Sequence, residues 1–367
     1  MIKKHLKKLY KHITASLFLI RNQYKVHHKK TDKPIAYAFK FSKWKQPYVA
    51  HFFDEYQMIF VPNQYSLKRL NRLLRNQSNY IFLVWGCSEE MAIGEYAAQY
   101  KVPLHRVEDG FLRSVGLGAM HTPPYSLCLD KTGIYFDSTR PSDLENLLNH
   151  YDFQNNQELL IRAGKIMRKI IDTGLSKYNH LPNKAASHIY GEKNQKRILV
   201  IGQVENDASI KRGSNQQWTN NDLVRLARKE NRDAQIIYKP HPDVLTGRRP
   251  KQSNPKEVAH LAEIIEQPLS LHDALQTIDH VYTITSLSGF EALIRSIPVT
   301  TVGAPFYSNW GLTDDRQKIT RRKRKLTIEA LFAAAYILYP RYMDPETYEK
   351  LTVEEAMERI ESHLIKK

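Results

Sequence analysis

A chain of 367 residues has room for roughly two domains and a sizeable core. With 42% hydrophobic and 25% charged residues it is neither disordered nor fibrous, and two cysteines, Cys87 and Cys128, exclude a disulfide scaffold and a Cys-rich zinc site. The formal net charge of +17 favours anionic partners: a nucleic acid, an anionic membrane or small anionic substrates.

The first 30 residues hold nine Lys/Arg and no carboxylate. Ile2, Leu6, Leu9, Tyr10, Ile13, Leu17 and Ile20 recur at helical spacing, with Lys3, Lys4, Lys7, Lys8 and Lys11 mostly between them. This predicts a basic amphipathic helix, suited either to an anionic membrane surface or to packing on the protein itself. The apolar run at 15–20 is too short for a signal peptide, and no run reaches the roughly 18 apolar residues of a membrane-spanning helix.

Strands are predicted at 35–40, 58–62, 80–85 and 134–137, and helices at 65–76, 89–100 and 156–173. A polar stretch at 180–196 interrupts the pattern. A second alternation follows, with strands at 197–201, 235–239, 280–285 and 299–302 and helices at 220–231, 269–277 and 288–296. Residues 326–338 and 344–365 read as helices. Strands alternating with helices imply parallel sheets, so the expected fold is α/β, two doubly wound Rossmann-like domains facing a cleft. The expected divisions are a basic segment at 1–30, a first domain at 31–190, a second at 191–325 and terminal helices at 326–367.

Ligands of open α/β sheets bind beyond the carboxyl ends of strands, and four clusters fall there. The first is VEDGFLRS at 107–114, where Glu108 and Asp109 precede a glycine and Arg113 follows. A carboxylate turned into a cleft serves as general acid or base; an ordinary solvated Asp-Gly turn is the alternative. The second, at 201–209, offers Gln203, Asp207 and Ser209, followed by Lys211 and Arg212; the alternative is a loop that caps the next helix. In the third, YKPHP at 238–242, prolines flank His241, and Lys239 and His241 together suit a phosphate. The fourth, at 283–293, runs from a strand into a hydroxyl- and glycine-rich turn. There Ser286, Ser288 and Gly289 form an anion site at a helix N-terminus, Glu291 is placed for a ribose hydroxyl, and the serines equally serve as caps.

No Rossmann glycine fingerprint, P-loop, HExxH, paired CxxC or GxSxG is present, and no metal is expected. Charge alone admits a nucleic-acid binder, but no nucleic-acid motif accompanies it, and none is expected as a partner. Phosphate-binding groups in one domain and carboxylates across a cleft are what sugar transfer from a nucleotide donor requires.

The stretches at 107–118, 202–210, 238–242 and 303–315 together resemble the bacterial capsule polysaccharide synthesis family, above all its KpsC-type retaining β-Kdo transferases. The resemblance implies a GT-B-like fold, CMP-Kdo as donor without other cofactor, and a capsular polysaccharide or glycolipid acceptor. It matches an acidic-acidic-Gly motif to Glu108-Asp109-Gly110 and a His-Pro motif to His241-Pro242. It carries CMP phosphate contact to His241, Ser286 and Ser288, the nucleophile to Asp207, and acid/base or positioning roles to Glu108 and Asp109, with Asp109 as base in an inverting scheme the alternative. Arg113, Lys211, Arg212 and Lys239 are matched to the donor and acceptor anions. KpsC-type proteins usually hold two transferase modules, and this length accommodates one. A KpsS-like starter transferase acting on lyso- or phosphatidylglycerol, and a non-catalytic capsule assembly or export factor, are the other readings. The expected location is the cytoplasm, at the periphery of the inner membrane.

Overall fold

A computed structural model describes residues 32–365 apart from 64–66, 76, 89–90, 117–119, 178 and 180–186, and only residues 14 and 21 before them. Those two aside, the basic segment expected at 1–30 lies outside the described residues. Strands form where short apolar runs are buried on both faces, as in IAYAF, YIFLVW and RILVI. In chain order they are β1 (Ile35–Phe39), β2 (Gln57–Val61), β3 (Tyr80–Trp85), β4 (Leu104–Asp109), β5 (Ser126–Asp130), β6 (Arg197–Ile201), β7 (Gln235–Lys239), β8 (Glu263–Ile264), β9 (His280–Thr283), β10 (Val299–Thr301), β11 (Asp314–Asp315), β12 (Pro340–Met343) and β13 (Lys350–Leu351).

They build the two α/β domains that the pattern predicts, in the expected GT-B-like architecture. The second sheet is parallel throughout, in the order β11-β10-β9-β6-β7-β8. The chain leaves β6 to opposite sides, so the loops after β6 and β9 diverge and open a crevice at the strands' carboxyl ends. The first sheet runs β13-β12-β5-β4-β3-β1-β2. It is parallel from β2 to β4, whereas β5, β12 and β13 each pair antiparallel.

Two predictions fail for visible reasons. Residues 134–137 are not a strand but part of a loop. Asp130 Oδ1 accepts from the Thr132 and Gly133 amides and Asp137 Oδ1 accepts from the Thr139 amide, so local side-chain bonds hold turns where a ladder was expected. The chain end is also not wholly helical. An α-helix at Ile328–Phe332 passes into a π-helix at Ala333–Leu338, and β12 then returns to pair with β5. Part of the expected terminal-helix region therefore completes the first domain, and the helix Val353–Ile365 follows it.

The domains share one apolar core. Phe111 contacts Phe306 (4.6 Å between ring centres) and stacks on Tyr336, and Tyr336 stacks on Phe290. The basic run at 321–325 is largely spent on this junction. Arg321 and Arg322 both pair with the buried Glu145 (2.7 and 3.1 Å), and Arg324 donates to the Tyr151 carbonyl. No described helix is long and apolar enough to cross a membrane.

Candidate active site

Glu108 and Asp109 end β4, beside the carboxyl ends of β3 and β1. Glu108 Oε1 accepts from the Asp109 amide (3.0 Å), and its other oxygen lies over Gly86. Gly86 has φ +50°, and a Cβ there would stand 2.8 Å from Glu108 Oε2, so a larger residue would be strained and would push this carboxylate aside. Burial, reinforced by the charge of Asp109, pushes the Glu108 carboxyl up to about 7. Asp109 Oδ2 stands 2.9 Å from Nε of the fully buried Arg113. Asp109 Oδ1 and Arg113 Nη2 are buried without a hydrogen-bond partner. Two adjacent carboxyls thus differ: one is partly protonated near neutrality and the other is ion-paired. Such a pair separates acid/base work from work needing a fixed negative charge.

Lys45 completes this group and was missed in the sequence. It sits in the short turn Lys43–Lys45 that soon follows β1. Its Nζ lies 3.1 Å from the centre of the Trp85 ring. Burial lowers its pKa, and the charges of Asp109 and Glu108 counteract part of the effect. The carboxyl end of the sheet's inner strand was a signal that pointed to this turn.

In the second domain, Gln203 spans the crevice. Its Oε1 accepts from the Thr285 amide (2.8 Å), its Nε2 donates to Thr285 Oγ1 (3.1 Å), and its main chain is held by both side-chain atoms of Asn220. It ties the loop after β6 to the loop after β9. Asp207 is exposed and N-caps the helix Ala208–Gly213, with Oδ1 accepting from the Ser209 amide (2.9 Å). Asp207 thus makes the cap that the alternative reading expected. Lys211 is exposed in that helix's last turn.

His241 caps the short helix Pro242–Leu245, its Nδ1 accepting from the Asp243 amide (3.1 Å). An amide can only donate, so the neutral ring carries its proton on Nε2 and presents a donor there. Burial lowers its pKa, with Asp243 opposing. Lys239, at the end of β7, is pushed down to about 8 by burial. Gln203, Glu205, Tyr238, His241 and Ser253 line one narrow hollow. Glu205, which the sequence did not single out, clamps the Ser253 loop there by accepting from the amides of Ser253 (2.9 Å) and Asn220 (2.7 Å).

Ser286 caps the helix Leu287–Leu293 by accepting from the Ser288 amide (3.2 Å), and both serines are half-buried. Gly289 is buried, and a Cβ there would stand 2.2 Å from the hydroxyl of Tyr307, so its smallness serves packing. Glu291 is 2% exposed and accepts from the Lys177 amide (3.3 Å), which gives it a part in joining the domains.

The carboxylate group and the second domain meet at the loop misread as a strand. The Phe136 ring, like the Glu108 carboxyl, lies beside Gly86, and the Ser138 amide and hydroxyl both donate to the Arg212 carbonyl (3.1 Å each). Arg212 thus contributes its main chain to the junction.

Residues 82–342 match the family described as capsule polysaccharide biosynthesis protein. The chain belongs to that family. It is 48% identical over 314 residues to the lipopolysaccharide-processing protein LpsZ of Rhizobium meliloti, a match covering 85% of this chain and 70% of LpsZ. It is 38% identical over 323 residues to the capsule polysaccharide modification protein LipA of Neisseria meningitidis serogroup B, covering 87% of this chain but 44% of LipA. Among solved structures it resembles the KpsC β-Kdo 2,4 transferase of Thermosulfurimonas dismutans, with TM-score 0.77 and 32% identity over 91% of this chain and all of that one. The β-Kdo 2,7 transferase from the same organism's KpsC gives TM-score 0.70 and 33% identity over the same shares. The capsule family inferred from the four motifs is therefore established.

Proposed function

We propose that this chain transfers Kdo from CMP-Kdo to an acidic glycan or glycolipid, forming a β linkage with retention. The observation that carries the reading is the divided carboxyl pair, Glu108 near 7 and Asp109 ion-paired to Arg113, at the end of β4. The similarity to two KpsC β-Kdo transferases supports the same reading. Ligands would sit on the cytoplasmic side of the membrane, where nucleotide-activated sugars serve as donors.

In this reading Asp109 attacks the anomeric carbon as the bond to the CMP phosphate oxygen breaks, and CMP leaves. The acceptor hydroxyl then displaces Asp109 from the sugar and gives its proton to Glu108. The nucleophile role that the resemblance gave to Asp207 is assigned in this reading to Asp109, which pairs with Arg113 beside Glu108, whereas Asp207 caps a helix at the surface. His241 Nε2 donates to the donor phosphate, with Lys239 and the hydroxyls of Ser286 and Ser288 beside it, and Gln203 holds the two loops at their spacing. Lys45 supplies positive charge to the sugar carboxylate, and the buried Arg113 holds Asp109.

His241→Asn retains a side-chain oxygen for the cap while removing the Nε2 donor. CMP affinity measured by calorimetry is expected to fall at least about tenfold, the size of a lost hydrogen bond to a charged group. Unchanged affinity in the folded variant would remove His241 from the phosphate site.

A further inference from the structure

Five aromatic rings form a row on the first domain, and the mechanism above uses none of them. Trp44 stacks against His121 (5.0 Å between centres, 25° between planes) and touches Tyr48 (6.4 Å). Tyr48 meets Tyr348 (6.3 Å), and Tyr348 stacks on His51 (3.8 Å, 11°). The helix Gln46–Phe52 turns Val49 and Phe52 into the core and leaves Tyr48 half-buried and His51 exposed. His121 and Tyr348 are also exposed.

Two features set this row apart from scattered surface aromatics. His121, at one end of the row, and Tyr348, next to His51 at the other, have left-handed backbone (φ 59° and 61°), which side-chain-bearing residues rarely adopt. The turn carrying Tyr348 is held from within, since Asp344 Oδ1 accepts from the Glu346 amide and the Asp344 carbonyl accepts from the Tyr348 amide. The row also leads to the carboxyl pair. Trp44 adjoins Lys45, whose Nζ stands 5.4 Å from the Trp44 ring and within the field of Asp109 and Glu108.

We infer that this row is the acceptor track. An acidic glycan lies along Tyr348, Tyr48 and Trp44, and its terminal sugar reaches Lys45 and the carboxyl pair. The C–H faces of sugar rings are apolar and pack on aromatic faces, while Tyr and Trp give wide contact for little lost freedom. Lys43, exposed at the same end, and Lys45 meet the sugar carboxylates. Continuity with the carboxyl pair favours a glycan over a lipid surface, which would need no path to Glu108. The inference deepens the proposed function and rests on it for the acidity of the sugar.

The test is calorimetric titration of the full chain with a β-linked Kdo tetrasaccharide and with the methyl glycoside of Kdo, using wild type, Tyr348→Ala and Tyr348→Phe. Tyr348→Ala is expected to weaken tetrasaccharide binding about tenfold, the value of one ring contact, and Tyr348→Phe to keep it. The affinity for the methyl glycoside, too short to span the row, is expected to move less than the tetrasaccharide's. Equal tetrasaccharide affinity in wild type and Tyr348→Ala would overturn the track. So would a row that binds phosphatidylglycerol vesicles in a Tyr348-dependent way while ignoring the tetrasaccharide. If a neutral glycan of similar length bound with the same Tyr348 dependence while CMP-Kdo was not turned over, the track would stand and the Kdo reading would fall.

Discussion

Asp109→Asn is expected to lower kcat for Kdo transfer by about a thousandfold or more, with CMP affinity little changed. The substitution keeps shape and removes the negative charge beside Arg113. Asp207→Asn supplies the contrast, because an asparagine caps a helix about as well as an aspartate. Its transfer rate should remain within about tenfold of wild type. Single-turnover assays on the two purified variants decide the matter. A silent Asp207→Asn beside an active Asp109→Asn would return the nucleophile to the second domain.

The other large effect concerns stability. Glu291 is 2% exposed, its Oε2 lacks a partner, and burial pushes its carboxyl up to about 7 from an ordinary 4.5. In the folded state it therefore holds a proton between these values that the unfolded chain has released. Its stabilising contribution is fully present below pH 4.5, declines as pH rises and is gone above about 7. The shift corresponds to a few kcal/mol, on the order of 1.4 per unit. Glu108, pushed up to about 7 as well, acts in the same direction. The protein is expected to melt at a lower temperature at pH 8 than at pH 5. Glu291→Gln, which never ionises, should melt higher than wild type at pH 8 and show a flatter pH profile. Identical melting curves for the two proteins across this range would contradict the assignment.

The second domain was the more legible half. Its strands are short, continuously apolar runs bounded by polar loops, and β6 and β7 fall where periodicity placed them. The first domain hid more. β4 carries Arg106, Glu108 and Asp109, so it does not look like a buried strand, yet Arg106 is 4% exposed and donates to the Gly86 carbonyl. β12 opens with Pro340 and is four residues long, and its pairing with β5 is a long-range event that no local pattern announces.

The site shows the same division. Residues that act through local geometry, such as His241 between its prolines and the Glu108-Asp109 pair before Gly110, were visible as motifs. Lys45 was not, because its importance comes from Trp85, a residue forty positions away at the end of β3. Gln203 and Glu291, singled out as ligand contacts, also tie loops and domains together. A polar residue at the end of a strand has the same sequence signature whether it binds a substrate or another part of the chain.

The measurement that bears most directly on all of this follows purified protein with CMP-Kdo and a β-Kdo-terminated acceptor by NMR. CMP should appear in step with a new β-linked Kdo, and both signals should vanish in Asp109→Asn. A folded wild-type protein that binds CMP but yields no linked Kdo, or one that forms an α linkage, would contradict the account.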